Sequence, residues 1–127
     1  GSKKFIVVFF VSGIIANLIS INFYGSSLGA SGAIMGIIGT LAVIKPLMMV
    51  WALGMILPMF VAAILWIVGD ILGIFIQDGV GNIAHLSGMG VGILIGIYFR
   101  TGKKRKKEIK FKLPESYIEQ WEDQYMK

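Results

Sequence analysis

Cysteine is absent from the 127-residue sequence, and histidine occurs once. The first absence excludes disulfides, thiolate-ligated metals and a cysteine nucleophile. The second argues against a histidine-cluster metal site, and no metal or cofactor is expected. Charge is scarce too. Charged residues make up 15% of the chain, against ~25% in a soluble domain, and most of them crowd into 101–127. What remains is long and apolar: hydrophobic residues are 56% and the mean hydropathy is +0.79. That composition excludes a soluble enzyme and describes a helical bundle crossing a membrane several times.

Four apolar stretches follow one another, Phe5–Ile21, Ser31–Ile44, Met59–Ile76 and Ile83–Phe99. They give an all-α, multi-pass bundle over residues 5–100, with a cytoplasmic flank at 1–4 and a basic cytoplasmic tail at 101–127. Lys3, Lys4, Lys45, Arg100, Lys103 and Lys104 all fall on one side of such a bundle. The positive-inside rule makes that side cytoplasmic. The net charge of +5 therefore reads as orientation in a cell membrane, with the basic run near anionic headgroups, and not as a nucleic-acid surface.

The second stretch is too short. Ser31–Ile44 spans about 21 Å at ~1.5 Å per residue, while a hydrocarbon core is ~30 Å thick. With Lys45 at one interface, Ser31 lies roughly 9 Å below the other. The turn-rich segment Asn22–Ala30 must then dip below that interface, which backbone tolerates only inside protein or beside water. A wet recess open to the outer side is expected there. Residues 47–57 run into Pro58 and are expected to form an interfacial segment on the cytoplasmic side, since proline breaks a helix.

Packing signals accompany these spans. Gly32, Gly36 and Gly39 lie near one face of the second span, and Gly88, Gly92 and Gly96 form a stripe on the fourth that excludes Gly90. Small residues at such spacing let helices approach closely. Asn17 is expected to bond to a neighbouring helix, and Trp66 to pack between helices. In the tail, Ser116 with Glu119 matches a capping box. Tyr117, Trp121 and Tyr125 then recur on one face of a short amphipathic helix.

Chemistry concentrates at two residues. His85 lies three residues into the last span, roughly 5 Å below the outer interface, at a depth comparable with Ser31. Serine is a weak nucleophile unless a base adjoins it, and an imidazole is the usual one. Ser31 and His85 are thus the candidate nucleophile and general base. Asp70 is a carboxyl group inside a span, where such a group is costly and suggests function.

At these residues the chain resembles the rhomboid intramembrane serine proteases. Gly29-Ala30-Ser31-Gly32 is similar to their Gly-x-Ser-Gly, and Ala84-His85-Leu86-Ser87-Gly88 to their Ala-His-x-x-Gly. The resemblance runs from about Lys3 to Arg100. It implies a Ser31–His85 catalytic dyad that cleaves transmembrane segments of membrane proteins near the outer face. It also implies that the chain holds four of the six core helices, the third to the sixth. The missing N-terminal helices, in the same protein or in a separate chain, would then be needed for activity, and this chain alone is expected to be inactive. Their histidine and asparagine oxyanion donors are absent here, Met35 stands where many members have a tyrosine packed on the histidine, and Ile83 stands where a small residue is often found. Because rhomboids act with a dyad, the resemblance leaves Asp70 outside the catalytic group, as a structural or gating residue. The alternative is a catalytically silent rhomboid-like protein that binds transmembrane clients. Serine and histidine are both retained here, which favours the protease.

Overall fold

The computed structural model describes residues 1–24, 29–76, 81–111 and 115–126. Its elements are α1 (Ser2–Tyr24), α2 (Ser31–Ile44), β1 (Met49–Ala52), β2 (Met55–Pro58), α3 (Met59–Ile76), α4 (Asn82–Phe111) and α5 (Glu115–Tyr125). Three helices, α1, α3 and α4, are long and apolar enough to cross a membrane, and α2 is a shorter apolar helix.

The helices are built inside out relative to those of a water-soluble protein. On α1 the buried positions recur every four residues, Val8, Ser12, Ala16 and Ser20, while Phe10, Ile14 and Leu18 are exposed. Small and polar side chains face the bundle and bulky apolar ones face outward. This is the pattern expected where lipid, not water, is the surrounding solvent. Helix α3 repeats it, burying Ala62, Ala63, Asp70 and Gly73 and exposing Ile64, Val68, Ile71 and Phe75.

Helices α2 and α4 run side by side in the same direction, and glycine makes that possible. A β-carbon on Gly88 would collide with the backbone carbonyl of Gly32, and one on Gly92 with the carbonyl of Gly36. On Gly39 it would meet the Met89 carbonyl oxygen at 2.5 Å, and on Gly96 the Thr40 carbonyl oxygen at 3.0 Å. Gly90 has nothing within 4 Å of its would-be β-carbon, so it stands off the seam as its spacing implies. The Thr40 hydroxyl fastens the pair, lying 2.9 Å from the Gly36 carbonyl oxygen and 2.8 Å from that of Gly92. Helix α1 crosses the seam antiparallel, Ala16 against Gly32 and Ser12 against Gly36. On the other side Met35 and Met89 are buried with Ala63 of α3, and Trp66 and Ile67 pack against that cluster. Trp66 is thus the interhelical aromatic its position suggests.

Residues 49–58 form an antiparallel hairpin, Ala52 facing Met55 and Met49 facing Pro58. Leu53 and Gly54 have φ of 54° and 80°. Positive φ at both central residues is the mark of a type I′ turn, whose twist suits two paired strands. The hairpin leads directly into α3, whose first N–H groups need acceptors outside the helix. Met59 N donates to the Met48 carbonyl at 2.8 Å and Phe60 N to that of Pro46 at 3.1 Å.

Three boundaries differ from the sequence expectation. Helix α1 begins at Ser2 and continues to Tyr24, with Asn22 Nδ2 donating back to the Leu18 carbonyl at 3.0 Å. Helix α4 does not stop near Phe99 but continues to Phe111. Lysine, arginine and glutamate are good helix formers, and leaving hydrocarbon does not by itself end a helix. In the tail, α5 begins at Glu115, so Ser116 is its second residue and not its cap. Tyr117, Trp121 and Tyr125 are exposed, Trp121 and Tyr125 stack with centroids 4.5 Å apart, and among the described residues α5 packs on none of the other elements. Parts of the loops expected at 22–30 and 77–82, and Leu113-Pro114, lie outside the described residues.

Candidate active site at the α2–α4 entrance

Ser31 is the first residue of α2, and it is exposed. Its neighbour Gly32 is where three helices meet. The β-carbon position of Gly32 lies 2.6 Å from Ala16 Cβ of α1 and 3.1 Å from the Ala84 carbonyl oxygen of α4. The residue after Ser31 therefore touches the residue before His85. Parallel packing brings the two candidate residues to the same level of the bundle, as the depth argument requires. The glycine seam is the cause, because any side chain on Gly32 or Gly88 would part the helices there. Among the described residues no hydrogen bond joins Ser31 to His85 directly.

The start of α2 is held from α1. Asn17 Nδ2 donates to the Gly13 carbonyl of its own helix at 2.9 Å and to the Gly29 carbonyl at 3.3 Å. One partner outside α1 is thus the chain entering α2, two residues before Ser31. Ala30 occupies the cap position of α2 and makes no side-chain capping bond. An open groove of about 430 Å³ flanks this entry, lined by Phe9, Phe10, Ile14, Asn17, Gly29 and Ala33 among others.

His85 is half-buried, and its partner is the carboxylate that the resemblance leaves aside. Asp70 Oδ1 lies 3.0 Å from His85 Nδ1. Asp70 is 6% exposed, and its other oxygen, Oδ2, is buried with no hydrogen-bond partner among the described residues. Asp70, expected as a structural or gating group outside the catalytic pair, is thus hydrogen-bonded to the candidate base. Asp70 is six residues before the end of α3 and His85 three residues after the start of α4. With the two helices antiparallel, both fall near the same end. A depth comparison like the one applied to Ser31 would have found the pair.

Met35, four residues after Ser31, points into the Met89–Ala63 cluster and supplies apolar packing below the site. No group of three or more His, Cys, Asp or Glu side chains arranged to hold a metal occurs among the described residues. At the far end of the bundle Lys4, Arg100, Lys103 and Lys104 line a cavity of about 670 Å³ with Val8, Leu41 and Phe99. Lys4 Nζ sits 5.1 Å from the Phe99 ring centroid, and Arg100 donates to the Val43 carbonyl at 3.3 Å. Basic residues from α1 and α4 thus gather at one end, and Ser31, Asp70 and His85 at the other.

The family model for the rhomboid domain matches residues 1–102. No curated protein and no solved structure matches the chain. The matched stretch includes both serine and histidine motifs, the glycine seam and every helix that positions them, and on it this membrane-spanning chain belongs to the rhomboid family.

Proposed function

We propose that the chain is the catalytic part of a rhomboid intramembrane serine protease, with Ser31 as nucleophile and His85 as general base. The observation that supports this reading is the approach of Gly32 to the Ala84 carbonyl, which leaves Ser31 and His85 at the same level of two parallel helices. In the reaction, His85 takes the Ser31 hydroxyl proton on Nε2, the ring nitrogen that Asp70 does not engage. Oγ bonds to the scissile carbonyl carbon as the π pair moves onto oxygen. Collapse of the tetrahedral species breaks the C–N bond, and the amine leaves with the proton from His85. Water then attacks the acyl-serine ester, His85 accepts its proton, and the Ser31 hydroxyl is regenerated.

The developing oxyanion needs donors. The N–H of Ser31 belongs to the first turn of α2, where backbone donors have no intrahelical acceptor and Ala30 offers no capping side chain. Such preorganised N–H groups are suited to an oxyanion. Two further helices of the family core, from the same protein or a second chain, would complete the site. Substrates would be transmembrane segments opened at small, helix-weakening residues near the outer face. Gathering of the basic residues at the opposite end favours a cytoplasmic location for that end and for the tail, in the cell membrane.

The test is cleavage of a single-span reporter co-reconstituted with the full-length protein in liposomes. Wild type cuts it, and Ser31→Ala and His85→Ala each reduce cutting to background. Cutting that persists in either variant removes the proposal. A second reading, a silent rhomboid-like binder of transmembrane clients, is favoured by the lack of a direct Ser31–His85 hydrogen bond. It expects reporter binding without cleavage, equal in wild type and both variants.

A further inference from the structure

Asp70 is expensive where it stands. It lies roughly 9 Å inside the outer end of α3 at ~1.5 Å per residue, on a helix that otherwise carries no charged residue. An ionised carboxylate at such depth is tolerated only with a partner. The basic side chains of α1 and α4 gather at the opposite end of the bundle, so the imidazole of His85 at 3.0 Å is its ionisable neighbour. A single interhelical hydrogen bond does not need a carboxylate, because an amide supplies one at far lower desolvation cost. Asp70 uses one oxygen on His85 and leaves the other buried with no hydrogen-bond partner among the described residues. A carboxyl group placed on Nδ1, the ring nitrogen away from the one a base would use, is what distinguishes it from a structural tie.

We infer that Asp70 is the positioning residue for His85, giving this chain a three-helix Ser31–His85–Asp70 assembly where the family resemblance implies a dyad. The inference rests on the protease reading above. An ionised carboxylate only accepts hydrogen bonds, so the Nδ1 it engages carries the proton and Nε2 is left with its lone pair. That is the tautomer a base needs toward Ser31. When Nε2 takes the serine proton, the ring becomes a cation with the carboxylate already beside it, and the low-dielectric surroundings strengthen that pairing. The proton stays on histidine, as in the soluble serine-protease arrangement. Each member comes from a different helix: Ser31 from α2, Asp70 from α3 and His85 from α4.

The experiment measures the kinetics of a fluorophosphonate probe with the full-length protein in liposomes, separating the maximal labelling rate from the half-saturating probe concentration. Labelling joins Ser31 Oγ to phosphorus, expels fluoride, and sends the serine proton to His85. Asp70→Asn keeps size and hydrogen-bonding capacity but removes the charge. Its maximal rate is expected to fall about 10²–10⁴-fold with half-saturation unchanged. Asp70→Ala is expected to fall as far and to regain part of its rate on addition of formate, which a packing role would not allow. If Asp70→Ala does not insert stably, Asp70→Asn decides alone. Wild-type labelling kinetics in Asp70→Asn, with Ser31→Ala and His85→Ala both silent, overturns the role of Asp70 and leaves the protease reading standing. Undiminished labelling in Ser31→Ala or His85→Ala removes that reading itself.

Discussion

The backbone carbonyl of Gly32 fills the space that a β-carbon on Gly88 would need. One turn along, the Gly36 carbonyl does the same to Gly92. Two helices packed backbone to backbone have little freedom to slide, and this register brings Ser31 level with His85. Gly88→Ala or Gly92→Ala is therefore expected to cost about 1–3 kcal/mol through overpacking and to lower fluorophosphonate labelling of Ser31. Gly90→Ala is the control. With open space around it, it is expected to be neutral or to gain up to ~1 kcal/mol from helix propensity. Unfolding equilibria in mixed micelles would separate the two classes, and equal losses in all three would show that the seam does not set the register.

The Thr40 hydroxyl links α2 to α4 through the Gly92 carbonyl. Thr40→Val removes that donor at nearly constant volume and is expected to cost about 0.5–1.5 kcal/mol. Thr40→Ser keeps the donor and should lie closer to wild type. The same unfolding measurement checks the order. Valine equal to serine would mean that the bond contributes nothing.

Asn17 steadies the chain just before Ser31, the proposed nucleophile. Asn17→Leu frees the Gly29 carbonyl while filling similar space, so labelling of Ser31 should slow several-fold more than unfolding stability falls. A proportionate fall in both would reduce Asn17 to a packing residue.

Leu53 holds φ at 54° in the hairpin turn, a region that disfavours residues with a β-carbon and suits asparagine or glycine. Leu53→Asn is expected to stabilise the protein by up to ~1 kcal/mol, and Gly54→Ala to destabilise it. Thermal unfolding with each variant would check the signs, and a destabilised Leu53→Asn would contradict the turn assignment.

The sequence carried much of this in its spacing. Glycines four apart mark a close helix pair whatever the rest of the chain does, and the serine helix found at Ser31–Ile44 has the bounds its apolar run implies. The hairpin was hidden because Leu-Gly lacks the Asn-Gly or Asp-Gly signal of its turn, and because Met-Val-Trp-Ala has no polar alternation to betray a strand. The length of α4 was hidden because hydropathy marks where a membrane ends, not where a helix ends. Asp70 was legible as a costly carboxylate but not as a partner of His85. The pairing follows from α3 and α4 running antiparallel, which sets Asp70 and His85 near the same end of the bundle.

That Ser31 and His85 act together is the claim on which the rest depends, and an experimental structure of the full-length protein carrying a phosphonate on Ser31 tests it most directly. His85 Nε2 is expected within ~2.6–3.2 Å of Ser31 Oγ or of an adduct oxygen, with Nδ1 still on Asp70. A His85 ring turned away from the adduct, with packed side chains or lipid between them, would contradict the account.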